Sequence, residues 1–160
     1  SGSTILDFGC GLGHMLDFIN KEPGNNIDYT GLDINDEIVE LCKVKFPDRI
    51  FLSGDILKGE IEGLKDSYDY IISNGVFTIK RELSFEDMWG FVKSAIRKLW
   101  VMTDRHLIVN FMSKQVDWER EDLFHLPLDT LADFLCSEIT RDFVIRNDYQ
   151  LYEYSVIIYK

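Results

Sequence analysis

A chain of 160 residues that is 46% hydrophobic is long enough for one domain with a buried core and too apolar to remain disordered. Its net charge of −11 removes the bulk positive field that a long polyanion would need, so nucleic acid is not an expected partner and a small acceptor molecule is. No apolar run approaches the roughly 20 residues of a membrane span, and the widely spaced Cys10, Cys42 and Cys136 read as thiols of a reducing, cytoplasmic compartment.

In chain order, the first element is Thr4-Ile5-Leu6-Asp7-Phe8, a short apolar strand. It passes through Gly9, Cys10, Gly11, Leu12 and Gly13 into a helical run with Met15, Leu16, Phe18 and Ile19. Glycines on alternate positions leave a strand-to-helix turn free of side chains, where a nucleotide-like ligand can lie. A dinucleotide fingerprint has the spacing G-x-G-x-x-G; here the third glycine comes one residue early and His14 takes its place. Asp7 would repel a phosphate and suits a cationic or amine-bearing ligand. The second strand, Ile27 to Asp33, ends in an acid 20 residues after Gly13, about where a ribose-binding carboxylate falls in a Rossmann-like unit. Asn35 or Asp36 then caps a helix expected to bury Ile38, Leu41 and Cys42 and to close at Pro47. The plainer readings are an ordinary βα turn for the glycines and a helix-cap acid for Asp33.

A third strand, Arg49 to Ser53, leads into Gly54-Asp55-Ile56, and a fourth, Tyr68 to Ile72, leads into Ser73-Asn74-Gly75-Val76-Phe77. The D-x-G-x-G-x-G turn, the acid at Asp33, the Asp55-Ile56 pair and the Asn74-Gly75 strand end together resemble the class I S-adenosylmethionine (SAM) methyltransferases. The resemblance implies a three-layer, Rossmann-like α/β fold, with a mostly parallel seven-stranded sheet closed by an antiparallel hairpin. It implies SAM as cofactor and S-adenosylhomocysteine as product. It places Asp7, Gly9, Cys10, Gly11 and Gly13 around the methionine and ribose portions and Asp33 with Ile34 at the ribose. Asp55 would accept from the adenine amino group, Ile56 would pack on the ring, and Asn74 with Gly75 would border methionine and acceptor. Family members usually carry upstream helices over the cofactor. This chain opens almost on its first strand, so either the domain is trimmed or another domain or the later loops provide the cover; Ser1-Gly2-Ser3 is expected to be a tag remnant or trimmed boundary and 4–160 the methyltransferase domain.

Ser84-x-x-Asp87 is a capping-box-like start for a long helix whose apolar face runs Met88, Phe91, Val92, Ala95, Ile96, Leu99 and Trp100. Trp89 lies off that stripe, facing either the ligand region or another element. Leu107 to Met112 reads as a buried fifth strand, residues 113–127 as an irregular polar-aromatic segment, and Leu131, Phe134 and Leu135 as a shorter helix. Phe143 to Arg146 and Tyr152 to Tyr159 then make the closing hairpin, which a plain dinucleotide-binding sheet would replace with another parallel strand.

The acceptor should meet the ends of strands four and five. Candidate acceptor-binding residues are Lys80, Arg81, Lys114, Trp118 and Arg120, in surroundings that also hold Asp117, Glu121 and Asp122. His125 is the candidate base if the acceptor is a hydroxyl, because its unperturbed pKa lies near working pH; it could equally cap the following helix. His106 looks structural. Three separated histidines and no paired acids at ligand spacing predict no metal. The later segments resemble small bacterial class I methyltransferases of surface-polysaccharide and related small-molecule pathways. That likeness implies O- or N-methylation of a sugar-linked or phosphorylated small molecule. The competing functions are a non-catalytic SAM-fold scaffold and a nicotinamide-dependent oxidoreductase. Oligomeric state is open.

Overall fold

Successive residues of a strand face opposite sides of its sheet, and in β1 (Thr4–Phe8) both sides are apolar. Ile5 joins a core with Tyr29, Phe51, Leu16, Val39 and Cys42, whereas Leu6 joins the larger core on the opposite face with Ile71, Leu107 and Val109. A strand buried on both faces belongs at the centre of a helix-covered parallel sheet, and β1 takes that position in the computed structural model. Residues 2–22, 24 and 26–160 are described; Ser1, part of the expected amino-terminal remnant, lies outside the described residues.

The strand path is β3 (Ile50–Ser53), β2 (Asp28–Asp33), β1, β4 (Tyr68–Ser73), β5 (Thr103–Ser113), β8 (Glu153–Tyr159), β7 (Phe143–Arg146). β3 through β5 are mutually parallel, β8 runs antiparallel to β5, and β7 antiparallel to β8. These are the seven strands and closing hairpin expected. A two-residue β6 (His125–Leu126) pairs with β5 off the path and makes an eighth. β1 and β4 are adjacent, but their connections run to opposite sides of the sheet. That switch point opens a crevice at the strand ends, where open α/β sheets bind ligands.

Helices α1 (His14–Ile19) and α2 (Asp36–Lys45) cover one face; α3 (Phe85–Val101) and α4 (Leu128–Phe134) cover the other. Ser84 caps α3, its hydroxyl accepting from Asp87 N–H at 3.0 Å. Met88, Val92, Ala95, Ile96 and Leu99 are buried as the periodicity predicts. Trp89 packs edge-on to Phe134 with ring centroids 5.4 Å apart, so it serves α4 rather than a ligand. The α2 stripe needs correction. The helix is buried through Val39 and Cys42, while Leu41 is 60% exposed. Cys42 is buried as expected, but its companion in the core is Val39 rather than Leu41, and Phe46 just beyond the helix docks there by stacking its ring on Phe51 of β3. β5 also begins earlier than its apolar run, and its first residues are held by side-chain packing. The His106 ring stacks on Tyr70 (5.3 Å) and meets Tyr159 edge-on (4.8 Å).

The segment between β5 and α4 is irregular but tethered. Its backbone bridges the loop after β4, pairing Leu123 with Ile79, and the Asp122 carbonyl accepts from both Lys80 and Arg81 N–H at 2.9 and 3.0 Å. α4 runs into a π-helical turn, Leu135–Ile139, which ends where Thr140 N–H reaches the Leu135 carbonyl at 2.9 Å. None of the described helices is long and apolar enough to cross a membrane.

Candidate functional site

The turn after β1 is hooked onto the end of β2. Leu32 carbonyl accepts from Gly9 N–H at 2.7 Å and from Cys10 N–H at 3.1 Å. Gly9, Gly11 and Gly13 all have positive φ, of 76°, 49° and 73°. At Gly9 the requirement is doubled, because a Cβ there would stand 2.1 Å from Val76 Cγ2. At Gly13 a Cβ would meet the Phe46 ring at 2.7 Å, so the early third glycine serves the packing of the turn against α2.

A cleft of about 410 Å³ opens at the strand ends. Gly9 and Phe8 form its floor, Asp33 with Ile34 one wall, Asp55 with Ile56 a second, and Asn74, Gly75 and Val76 the third. Asp33 is fixed from both sides: Oδ2 accepts from Gly11 N–H at 2.9 Å and Oδ1 from Asn35 N–H at 3.0 Å. The helix cap is Asn35, whose Oδ1 accepts from Glu37 and Ile38 N–H, so Asp33 is free of that task. Asp55 is oriented in the same way. Its Oδ1 accepts from Leu57 N–H at 3.0 Å, and Lys58 lies 3.2 Å from Oδ2. The Leu57 amide, helped by Lys58, holds Asp55 below the usual carboxylate range.

These groups fit an adenosine. Two carboxylates provide acceptors for ribose hydroxyls and an exocyclic amine, which donate, while Ile34 and Ile56 give the apolar surface a purine needs. Each carboxylate oxygen has a second lone pair beyond the bond that orients it.

Of the expected cofactor residues, Gly9, Asp33, Ile34, Asp55, Ile56, Asn74 and Gly75 come together on this one cleft. Asp7, Cys10, Gly11 and Gly13 lie behind it. Asp7 is 3% exposed and its Oδ2 accepts from the Tyr29 hydroxyl at 2.7 Å. Burial drives its pKa up to about 6, against the lowering effect of the Tyr29 bond; Asp33 adds to the rise. Burial likewise pushes the Tyr29 hydroxyl and the Cys10 thiol up. Cys42 Sγ donates to the Gly11 carbonyl at 3.1 Å, which braces the turn from α2.

The acceptor candidates line a different cavity of about 870 Å³, between the loops after β4 and β5. Lys80, Arg81, Lys114, Arg120 and His125 border it, but Trp118 does not and is 69% exposed. Two of its cations are already paired, Lys114 with Glu119 and Arg120 with Asp122, each at 2.6 Å. Lys80 Nζ donates to the Leu83 carbonyl at 3.1 Å. His125 is buried, with Nδ1 2.6 Å from the Ser113 carbonyl, which requires the proton on Nδ1. Nε2 is then the acceptor, and Arg120 N–H approaches it at 3.4 Å.

The sequence reading missed Phe8, Leu32, Gly54, Val76 and Phe91 as cleft residues, and it missed Asn110 behind them. The last had a signal: a polar amide inside the apolar run Leu-Ile-Val-Asn-Phe-Met. It is buried, and its Oδ1 accepts from Gly75 N–H at 2.7 Å.

Comparison with known proteins agrees with this geometry. Rv1506c of Mycobacterium tuberculosis (strain ATCC 25618 / H37Rv), which carries a provisional methyltransferase name, is 24% identical over 159 residues, 98% of this chain and 93% of that protein. Magnesium protoporphyrin IX methyltransferase (ChlM) from Synechocystis PCC 6803, solved with bound SAM, superposes with a TM-score of 0.68 at 18% identity, covering 99% of this chain and 70% of that one. A TehB-like SAM-dependent methyltransferase from Corynebacterium glutamicum ATCC 13032 gives 0.59 at 19% identity, over 99% and 81%. At these identities the two solved structures speak to the fold. The family described as "Methyltransferase domain" matches residues 1–120, three quarters of the chain. With its strand-end cleft and its paired carboxylates, the chain belongs to that family, the SAM-dependent methyltransferases of class I.

Proposed function

We propose that this protein moves a methyl group from SAM to an oxygen or nitrogen of a small polar acceptor, sugar-linked or phosphorylated. The observation that carries the donor half is the cleft that Asp33 and Asp55, each pre-oriented by backbone amides, line together with Gly9 and Gly75. When bound, SAM supplies an already activated methyl group, so the protein's task is chiefly alignment. Positioning of that kind contributes about 7–11 kcal/mol to lowering a barrier.

On this reading Asp33 holds the ribose and Asp55 the adenine edge. Gly9 and Gly75 let the methionine portion lie close to the backbone, and Asn74 borders the acceptor. Asp7, Cys10, Gly11 and Gly13 support the donor indirectly, by fixing the turn on which it rests. The acceptor would approach from the side of the second cavity, over Lys80, Arg81, Lys114 and Arg120, with Trp118 at its outer margin. Arg81 is the cation there with the greatest freedom to hold an anionic group, since its neighbours are occupied by Glu119, Asp122 and the Leu83 carbonyl. His125 carries its lone pair on Nε2, the tautomer a general base needs, where an acceptor would have to displace the long Arg120 N–H contact at 3.4 Å. For a hydroxyl acceptor it would take the proton there, contributing roughly 10²–10⁴-fold.

Two measurements test the proposal. S-Adenosylhomocysteine, not NAD, should raise the melting temperature and bind by calorimetry; the opposite preference would remove the donor assignment. A screen of sugar-linked and phosphorylated small molecules with methyl-labelled SAM should then find a substrate. Binding without transfer to any acceptor would favour a scaffold role.

A further inference from the structure

Asn110 is 6% exposed and lies near the end of the central strand β5. Its neighbours Val109 and Phe111 point into the larger core, so strand alternation directs the amide to the opposite face. There it bridges the turn after β4 and strand β8. Oδ1 accepts from Gly75 N–H at 2.7 Å, and Nδ2 donates to Glu153 Oε2 at 2.9 Å. The register explains the reach: Asn110 is opposite Ser155 in β8, and Glu153 lies two residues along on the same face.

The chemistry fixes the direction of the amide. An ionised carboxylate only accepts, so Glu153 must face Nδ2, which leaves Oδ1 for the Gly75 N–H. The peptide that follows is also fixed, since Thr78 Oγ1 donates to the Gly75 carbonyl at 2.8 Å. Gly75 has a φ of 92°, and the next residue, Val76, is the one whose Cγ2 fills the space a Cβ at Gly9 would need. Release of Gly75 N–H is expected to let Val76 shift against Gly9, a wall of the donor cleft against its floor.

Given the donor assignment above, on which this rests, we propose that Asn110, aimed by Glu153, is the positioning residue that holds the Asn74–Val76 turn in its binding-competent place. Neither residue lines the cleft. They act through Gly75.

The test titrates S-adenosylhomocysteine into the full chain and its variants at pH 8, with melting followed in parallel. Asn110→Leu keeps the branching and number of side-chain heavy atoms but leaves Gly75 N–H unpaired, and should weaken binding at least about tenfold. Asn110→Asp sets two carboxylates against each other and should weaken it as much. The double variant Asn110→Asp, Glu153→Gln reverses the polarity of the second bond, while the carboxylate introduced on β5 still accepts from Gly75 N–H; it should bind within about threefold of wild type. Glu153→Gln alone can still accept from Nδ2 and should also stay within about threefold. Wild-type affinity in Asn110→Leu would overturn the proposal. So would a double variant no better than Asn110→Asp, a comparison that decides the matter even where Asn110→Leu does not fold. Failure of the wild type itself to bind would instead strike the donor assignment.

Discussion

The two cavities of this protein are built in opposite ways. The donor cleft is made of strand ends and backbone: its carboxylates at Asp33 and Asp55 are aimed by amides within two residues or by the neighbouring turn. The second cavity is made of long side chains on two loops, and Lys114 and Arg120 are paired with acids of their own loop. A site assembled from main chain is specified by local sequence and resists small changes. One assembled from flexible side chains is defined only when a ligand competes for them.

Gly9→Ala breaks the donor side most severely. Its Cβ would collide with Val76 at 2.1 Å, in a backbone region that L side chains rarely adopt. Measurable S-adenosylhomocysteine binding should disappear by calorimetry, with about 2 kcal/mol or more of stability lost on denaturant unfolding. Asp33→Ala comes next. On the proposed donor assignment, two charge-assisted bonds to the ribose at about 1.5–3 kcal/mol each predict a roughly 10²–10⁴-fold loss of affinity. Part of that loss arises because Gly11 N–H is left without its acceptor.

Asp7 tests whether support behind the cleft is separable from the cleft. Its folded pKa of about 6 is above the 3.8 of an ordinary Asp, so the folded state binds the extra proton between those values. Its contribution is present below pH 3.8 and is lost as pH rises through 6, by about 3 kcal/mol. Unfolding of Asp7→Asn should lack this fall, making the variant more stable than wild type at pH 8. A wild-type curve that rises from pH 4 to 6 by the same amount relative to Asp7→Asn would reverse the assignment.

The acceptor side should respond weakly. His125→Ala leaves the Ser113 carbonyl and Arg120 N–H unpaired and should cost about 1–2 kcal/mol of stability, with donor affinity within twofold. Lys114→Ala breaks an exposed pair and should change stability by less than about 1 kcal/mol, again leaving the donor untouched. A large donor effect from either would mean that the two cavities are mechanically coupled.

Where function depends on main-chain conformation, residue identities announced it. Alternating glycines at 9, 11 and 13, acids at the ends of β2 and after β3, and a capped stripe from Met88 to Leu99 each satisfy a local requirement of φ, hydrogen bonding or period. Those requirements can be read without knowing what lies across the sheet, so the sequence alone determined the fold class, the closing hairpin and most of the residues that line the strand-end cleft. Only tertiary structure decided which atoms face the ligand. It turned Asp7 inward to Tyr29, because β1 is covered on both sides and the acid had to find a buried donor. It put Val39 rather than Leu41 beside Cys42 in the core of α2, where Phe46 docks on Phe51. It joined Asn110 to Gly75 and Glu153, residues 35 and 43 positions away, because parallel and antiparallel neighbours meet at the end of β5. Such pairings depend on distances between strands, which no local pattern encodes.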